Sequence, residues 1–71
     1  MQMKHRIFII GPTEDGKDLG DTLYIVAKTT HRDSLLDIYQ TDRYQEIFRT
    51  GNVNQAIQAA KKEGAKRPTI I

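Results

Sequence analysis

The chain is 71 residues long, with 38% hydrophobic and 28% charged residues, eleven Lys/Arg against nine Asp/Glu, and no cysteine. That length allows a single domain spanning residues 1–71, and the absence of cysteine excludes a disulfide scaffold and a thiolate zinc site. No apolar run approaches the ~18 residues of a membrane span, and the start is too short in apolar residues for a signal peptide. Lack of cysteine suits a reducing compartment, so the expected localisation is cytoplasmic. A domain of this size buries only about 60% of the surface its unfolded chain exposes. Its stability is expected at roughly 4–10 kcal/mol, and self-association would add apolar burial.

Arg6-Ile-Phe-Ile-Ile10 is a β-branched and aromatic run closed by Gly11-Pro12, which predicts a strand with a sharp stop. Alternation places Ile7 and Ile9 on one face and Phe8 and Ile10 on the other. Both faces are apolar, so the strand is expected in the centre of a sheet. Gly11 to Asp21 reads as a loop, with three glycines and four acids (Glu14, Asp15, Asp18, Asp21) against Lys17. Thr22 to Thr30 reads as a second strand, antiparallel to the first. In it, Leu23, Ile25 and Ala27 oppose Tyr24, Val26 and Lys28.

Ser34 to Thr50 fits two patterns. A helix capped by Asp33 would align Leu35, Leu36 and Tyr39, but Tyr44 and Phe48 fall off that stripe. A hairpin turning at Thr41–Tyr44 would put Leu36, Ile38 and Phe48 on one face, and this is the preferred expectation. Asn52 to Gly64 carries the clearest helix pattern. Asn52 and Gln55 have capping-box spacing, Val53, Ala56, Ile57 and Ala60 form a stripe, and Gly64 supplies the stop. Pro68 ends any further helix, leaving Thr69–Ile71 as a short edge strand or a tail. The expected fold class is α+β: an antiparallel meander of about four strands with one C-terminal helix on one face. The alternative is β-β-α-α.

Gly11-Pro-Thr-Glu-Asp-Gly16-Lys17 has the spacing of a phosphate-binding loop. The next residue is Asp18 rather than Ser or Thr, no helix pattern follows, and four acids would repel a phosphate. An acidic connecting loop explains it better. The acids do not follow the spacing of a calcium-binding helix–loop–helix either. His31-Arg32-Asp33-Ser34 holds the residue types of a hydrolase triad, but triad members must converge in space and adjacent residues on an extended chain do not. A kinase catalytic loop would need an ATP-binding lobe that the chain has no room for. His5 and His31 read as surface histidines at strand ends, without a third soft ligand. Catalytic, cofactor-binding and metal residues are therefore expected to be absent, and the chain is read as non-enzymatic.

Two surfaces remain. Lys61, Lys62, Lys66 and Arg67 cluster at the end of the predicted helix, and Lys4 and Arg6 would join them if the first strand runs nearby. Such a patch could neutralise a few phosphates, with Tyr24, Tyr39 and Tyr44 as stacking surfaces. The second surface is the sheet face that a single helix would leave open, expected to expose Tyr24, Val26, Ile7 and Ile9. The leading expectation is a protein–protein interaction or regulatory module acting through that face, with a protein partner or a second copy. The alternative is a nucleic-acid-binding accessory protein using the basic C-terminal residues. No membrane association and no cofactor are expected.

Overall fold

A computed structural model describes residues 5–14 and 22–71. The strands are β1 (Arg6–Glu14), β2 (Thr22–Thr29), β3 (Gln45–Thr50) and β4 (Thr69–Ile70), and the helices are α1 (Leu35–Gln40) and α2 (Val53–Lys62). The protein is α+β. Its described strands form one mixed sheet in the order β3-β2-β1-β4.

β1 and β2 pair antiparallel, with Ile9 opposite Val26 and Phe8 opposite Ala27. The alternation read from the sequence is the alternation observed. Ile9 and Val26 pack with Ala56 and Ala60 of α2 on one face. Phe8, Ile10 and Ala27 pack with Ile38 of α1 on the other. β1 is central, as its two apolar faces required.

β1 is longer than expected, since it runs through Gly11 and Pro12 to Glu14 across an irregularity between Ile10 and Thr13. The Gly11–Pro12 bond is cis. Gly11 passes so close to β2 that a Cβ there would lie 2.6 Å from Cδ1 of Tyr24 and 3.0 Å from the Leu23 carbonyl oxygen. The remainder of the expected acidic loop, Asp15 to Asp21, lies outside the described residues.

Residues 34–50 form neither the expected hairpin nor one long helix. Ser34, not Asp33, caps α1: its Oγ accepts from the Asp37 amide at 3.2 Å. Ile38 then points into the core with Phe8, and Leu35 packs at its edge. The helix stops at Thr41, and Asp42 takes a left-handed φ of 56°. The Arg43 amide bonds back to the Ile38 carbonyl at 3.0 Å and the Asp42 amide to that of Tyr39 at 3.3 Å, which is the Schellman arrangement. The failure of the apolar stripe at Tyr44 and Phe48 therefore marks the end of a short helix and the start of β3. Leu36, placed on one face with Ile38 and Phe48 in the hairpin register, is 56% exposed while Ile38 is completely buried.

α2 matches its pattern closely. Asn52 Oδ1 accepts from the amides of Asn54 at 2.8 Å and Gln55 at 3.2 Å. The expected capping box is altered, because Gln55 Oε1 accepts from the Thr50 hydroxyl at 2.7 Å, while Thr50 Oγ1 itself accepts from the Asn52 amide at 3.2 Å. Gly64, at φ 110°, closes the helix. The Ala65 amide reaches the Ala60 carbonyl at 3.1 Å and the Gly64 amide that of Lys61 at 3.0 Å. Thr69–Ile70 joins the sheet as an edge strand, parallel to β1. The sheet is thus mixed rather than a purely antiparallel meander, and it carries a second, short helix.

Candidate functional site

The sheet face expected to be open is the one that α2 covers. Ile9 and Val26 are completely buried there, with Ile7 and Tyr24 packed at the edges of the same cluster. The opposite face is closed by α1 together with Tyr44 and Ile71. The aromatic residues are used in this closure: Tyr44 meets Phe8 edge-on at 5.8 Å and stacks on Tyr39 at 6.3 Å. The unpartnered apolar surface lies instead at the β3 edge of the sheet.

Among the described residues, β3 pairs with β2 on one side only. Val26 lies opposite Phe48 and Ala27 opposite Glu46, so Ile47 is an extra residue in the ladder. Such a bulge resets the alternation of side chains. Two consequences are visible. Glu46 and Arg49, three residues apart, share a side and pair through bonds of 3.0 Å and 2.6 Å. Ile47 and Phe48, adjacent in sequence, both border α2. They form one wall of a groove of about 470 Å³ whose other wall is Gln55, Gln58, Ala59, Lys62 and Glu63. Phe48 is 42% exposed. No sequence signal announced the bulge, since neither Gly nor Pro stands near Ile47.

The expected basic residues hold their positions. Lys61 and Lys62 occupy the last turn of α2, Lys66 and Arg67 follow it, and all four are exposed. Arg6 does not join them: its Nη1 donates to the carbonyl oxygens of His31 at 2.9 Å and Asp33 at 2.7 Å. Lys4 lies outside the described residues. The residues of the triad-like run are used structurally. Ser34 caps α1, and the His31 amide donates to Thr29 Oγ1 at 3.1 Å.

His5 and His31 border the same cleft, at the end of the sheet away from Gly11. They line a polar cleft of about 390 Å³ with Lys28, Asp42, Arg43 and Tyr44. Its base is fixed by Thr29, which is 4% exposed and donates its hydroxyl to the Arg43 carbonyl at 2.7 Å. Burial, then the Asp42 charge, raise the Tyr44 pKa above the usual tyrosine value. Among the described residues, no group of three or more His, Asp or Glu side chains is placed to hold a metal ion, and no helix is long and apolar enough to cross a membrane.

No family model, curated protein or solved structure matches the chain.

Proposed function

We propose that the chain is a non-enzymatic protein-binding module that captures an extended segment of a partner protein at the β3 edge. The observation that carries this reading is the conjunction of an unpaired sheet edge with the groove between Phe48 and α2. A strand added to β3 would gain backbone hydrogen bonds, and its alternate side chains would enter that groove. The groove wall of Ile47, Phe48 and Ala59 suits an apolar side chain, and Lys62 and Glu63, of opposite charge at its border, suit polar neighbours. A second copy of β3 is a poorer occupant. In such a dimer both paired strands would carry the bulge and the charged Glu46–Arg49 pair, features that oppose pairing between sheet edges, whereas a partner segment brings neither. The cysteine-free composition suits a cytoplasmic setting.

Selection from a displayed peptide library is expected to enrich sequences with alternating apolar residues. Their amide-shift footprint should fall on β3 and α2, and Phe48→Ala should weaken them about tenfold, the effect of losing a well-packed anchor. Phe48 is exposed, so the variant should remain folded. Footprints confined to other surfaces would overturn the proposal, and a dimer in light scattering that Phe48→Ala dissociates would replace the peptide by a second copy.

A second reading is favoured by the four exposed cations at one end of α2: nucleic-acid binding through Lys61, Lys62, Lys66 and Arg67. It requires affinity for DNA or RNA that falls steeply between about 50 and 200 mM salt. Replacing Lys61 and Lys62 by Glu should then reduce the salt slope.

A further inference from the structure

The geometry points to a small-ligand site in the polar cleft at the end of β2, with a sugar phosphate as the class of ligand it fits. This site is separate from the β3 groove and does not depend on it. Four basic residues line the cleft from three parts of the chain: His5 before β1, Lys28 at the end of β2 with His31 just after it, and Arg43 from the turn after α1. Nothing in their sequence spacing gathers them; the β1–β2 pairing and the α1 turn do. Lys28 and Arg43 are cations, and among the described residues Asp42 is the only carboxylate in the lining. Arg43 has an acidic neighbour in Asp33, but at 3.9 Å and with both side chains more than half exposed the pair is loose. The guanidinium can therefore turn to an anion, for which its paired N–H groups are suited.

The cleft is also held in shape. Thr29, buried beneath it, joins the Arg43 carbonyl to the His31 amide, and Arg6 clamps the 31–33 loop through two carbonyl oxygens. A site fixed before binding avoids part of the ordering cost of capture.

Size and chemistry narrow the ligand. A cleft of about 390 Å³ is at the lower end of small-molecule pockets (roughly 300–1,000 Å³) and holds more than a bare phosphate. Thr30, Gln45 and Asp42 contribute hydroxyl, amide and carboxylate groups that match sugar hydroxyls. Among the described residues the one tyrosine in the lining, Tyr44, already uses its ring against Tyr39 and Phe8, so they offer no free stacking platform for a nucleobase.

The test is an amide-shift titration of the full chain with ribose 5-phosphate, ribose and inorganic phosphate, each against sodium chloride of equal ionic strength. Ribose 5-phosphate is expected to give saturable shifts at Thr30, His31, Arg43, Tyr44 and Gln45, with tighter binding than phosphate and no matching response to ribose. Arg43→Gln and Lys28→Gln should each weaken it about tenfold, as loss of one charged hydrogen bond does. Arg43→Gln keeps the backbone carbonyl that Thr29 bonds, so the cleft should survive, and an unchanged thermal midpoint confirms this. Shifts reproduced by sodium chloride, or centred on Lys61, Lys62, Lys66 and Arg67, overturn the site. Phosphate binding as tightly as ribose 5-phosphate overturns the sugar part of the assignment.

Discussion

α2 and α1 cover opposite faces of the sheet, and they are held by different kinds of interaction. On the α2 face the helix brings two completely buried alanines, Ala56 and Ala60, against Ile9 and Val26. Small side chains let the helix lie close to the sheet, and its ends are fixed by residues next to it in sequence. On the α1 face only Ile38 of the six-residue helix is buried. The cover there is assembled from Ile38, Leu35, Tyr44 and Ile71 around Phe8. An isolated helix of six residues is far below the length at which helices are stable in water. Both helices are capped by residues next to them in sequence, so α1 differs in resting on one buried side chain held by Phe8 and its neighbours.

The largest effect that follows is at Phe8. Its side chain is completely buried and touches the α1 face through Tyr44 as well as Ile38. Phe8→Ala should cost about 3–5 kcal/mol. Against a total of roughly 4–10 kcal/mol, that is a large share of the stability, read as a lower midpoint in urea denaturation. A loss below about 1 kcal/mol would mean that α1 is held without its core anchor, and the contrast between the helices would fail. At the start of α2, Asn52→Ala removes an oxygen that accepts from two amides. That change should cost about 1 kcal/mol, with faster amide exchange confined to the first turn of α2.

The same contrast explains what could be read in advance. The pairing of β1 with β2, the faces of Ile7 through Ile10, and α2 from Asn52 to Gly64 all rest on signals within a few residues, and these were legible. α1 was not, because its burial depends on Phe8 and Tyr44, which lie 30 residues and six residues from Ile38. The covering of Ile9 and Val26 by α2, rather than by a partner, is likewise a long-range choice between two equally apolar faces. At the candidate sites, the bulge at Ile47 redirects Phe48 without a marker residue. The cleft gathers His5, Lys28, His31 and Arg43 only once the β1–β2 register is set, so the two histidines could be noted in the sequence but not their companions.

The helix ends give the finest comparison, because both use the same Schellman hydrogen bonds with different residues at the left-handed position. Gly64 stands there after α2 at φ 110°, and Asp42 after α1 at φ 56°. A Cβ at Gly64 would meet nothing within 4 Å, so Gly64→Ala isolates the backbone cost, about 1 kcal/mol of destabilisation. Asp42 already carries that strain, reduced by the tolerance of aspartate for the left-handed region. Asp42→Gly removes the strain but gives the unfolded chain more freedom, which offsets part of the gain. The net should be a stabilisation of about 0.5 kcal/mol, read as a small rise in denaturation midpoint at unchanged slope. If Asp42→Gly destabilises instead, the carboxylate contributes more to the folded state than its backbone angle costs, and its place at the rim of the basic cleft beside Arg43 and Tyr44 supplies the cause.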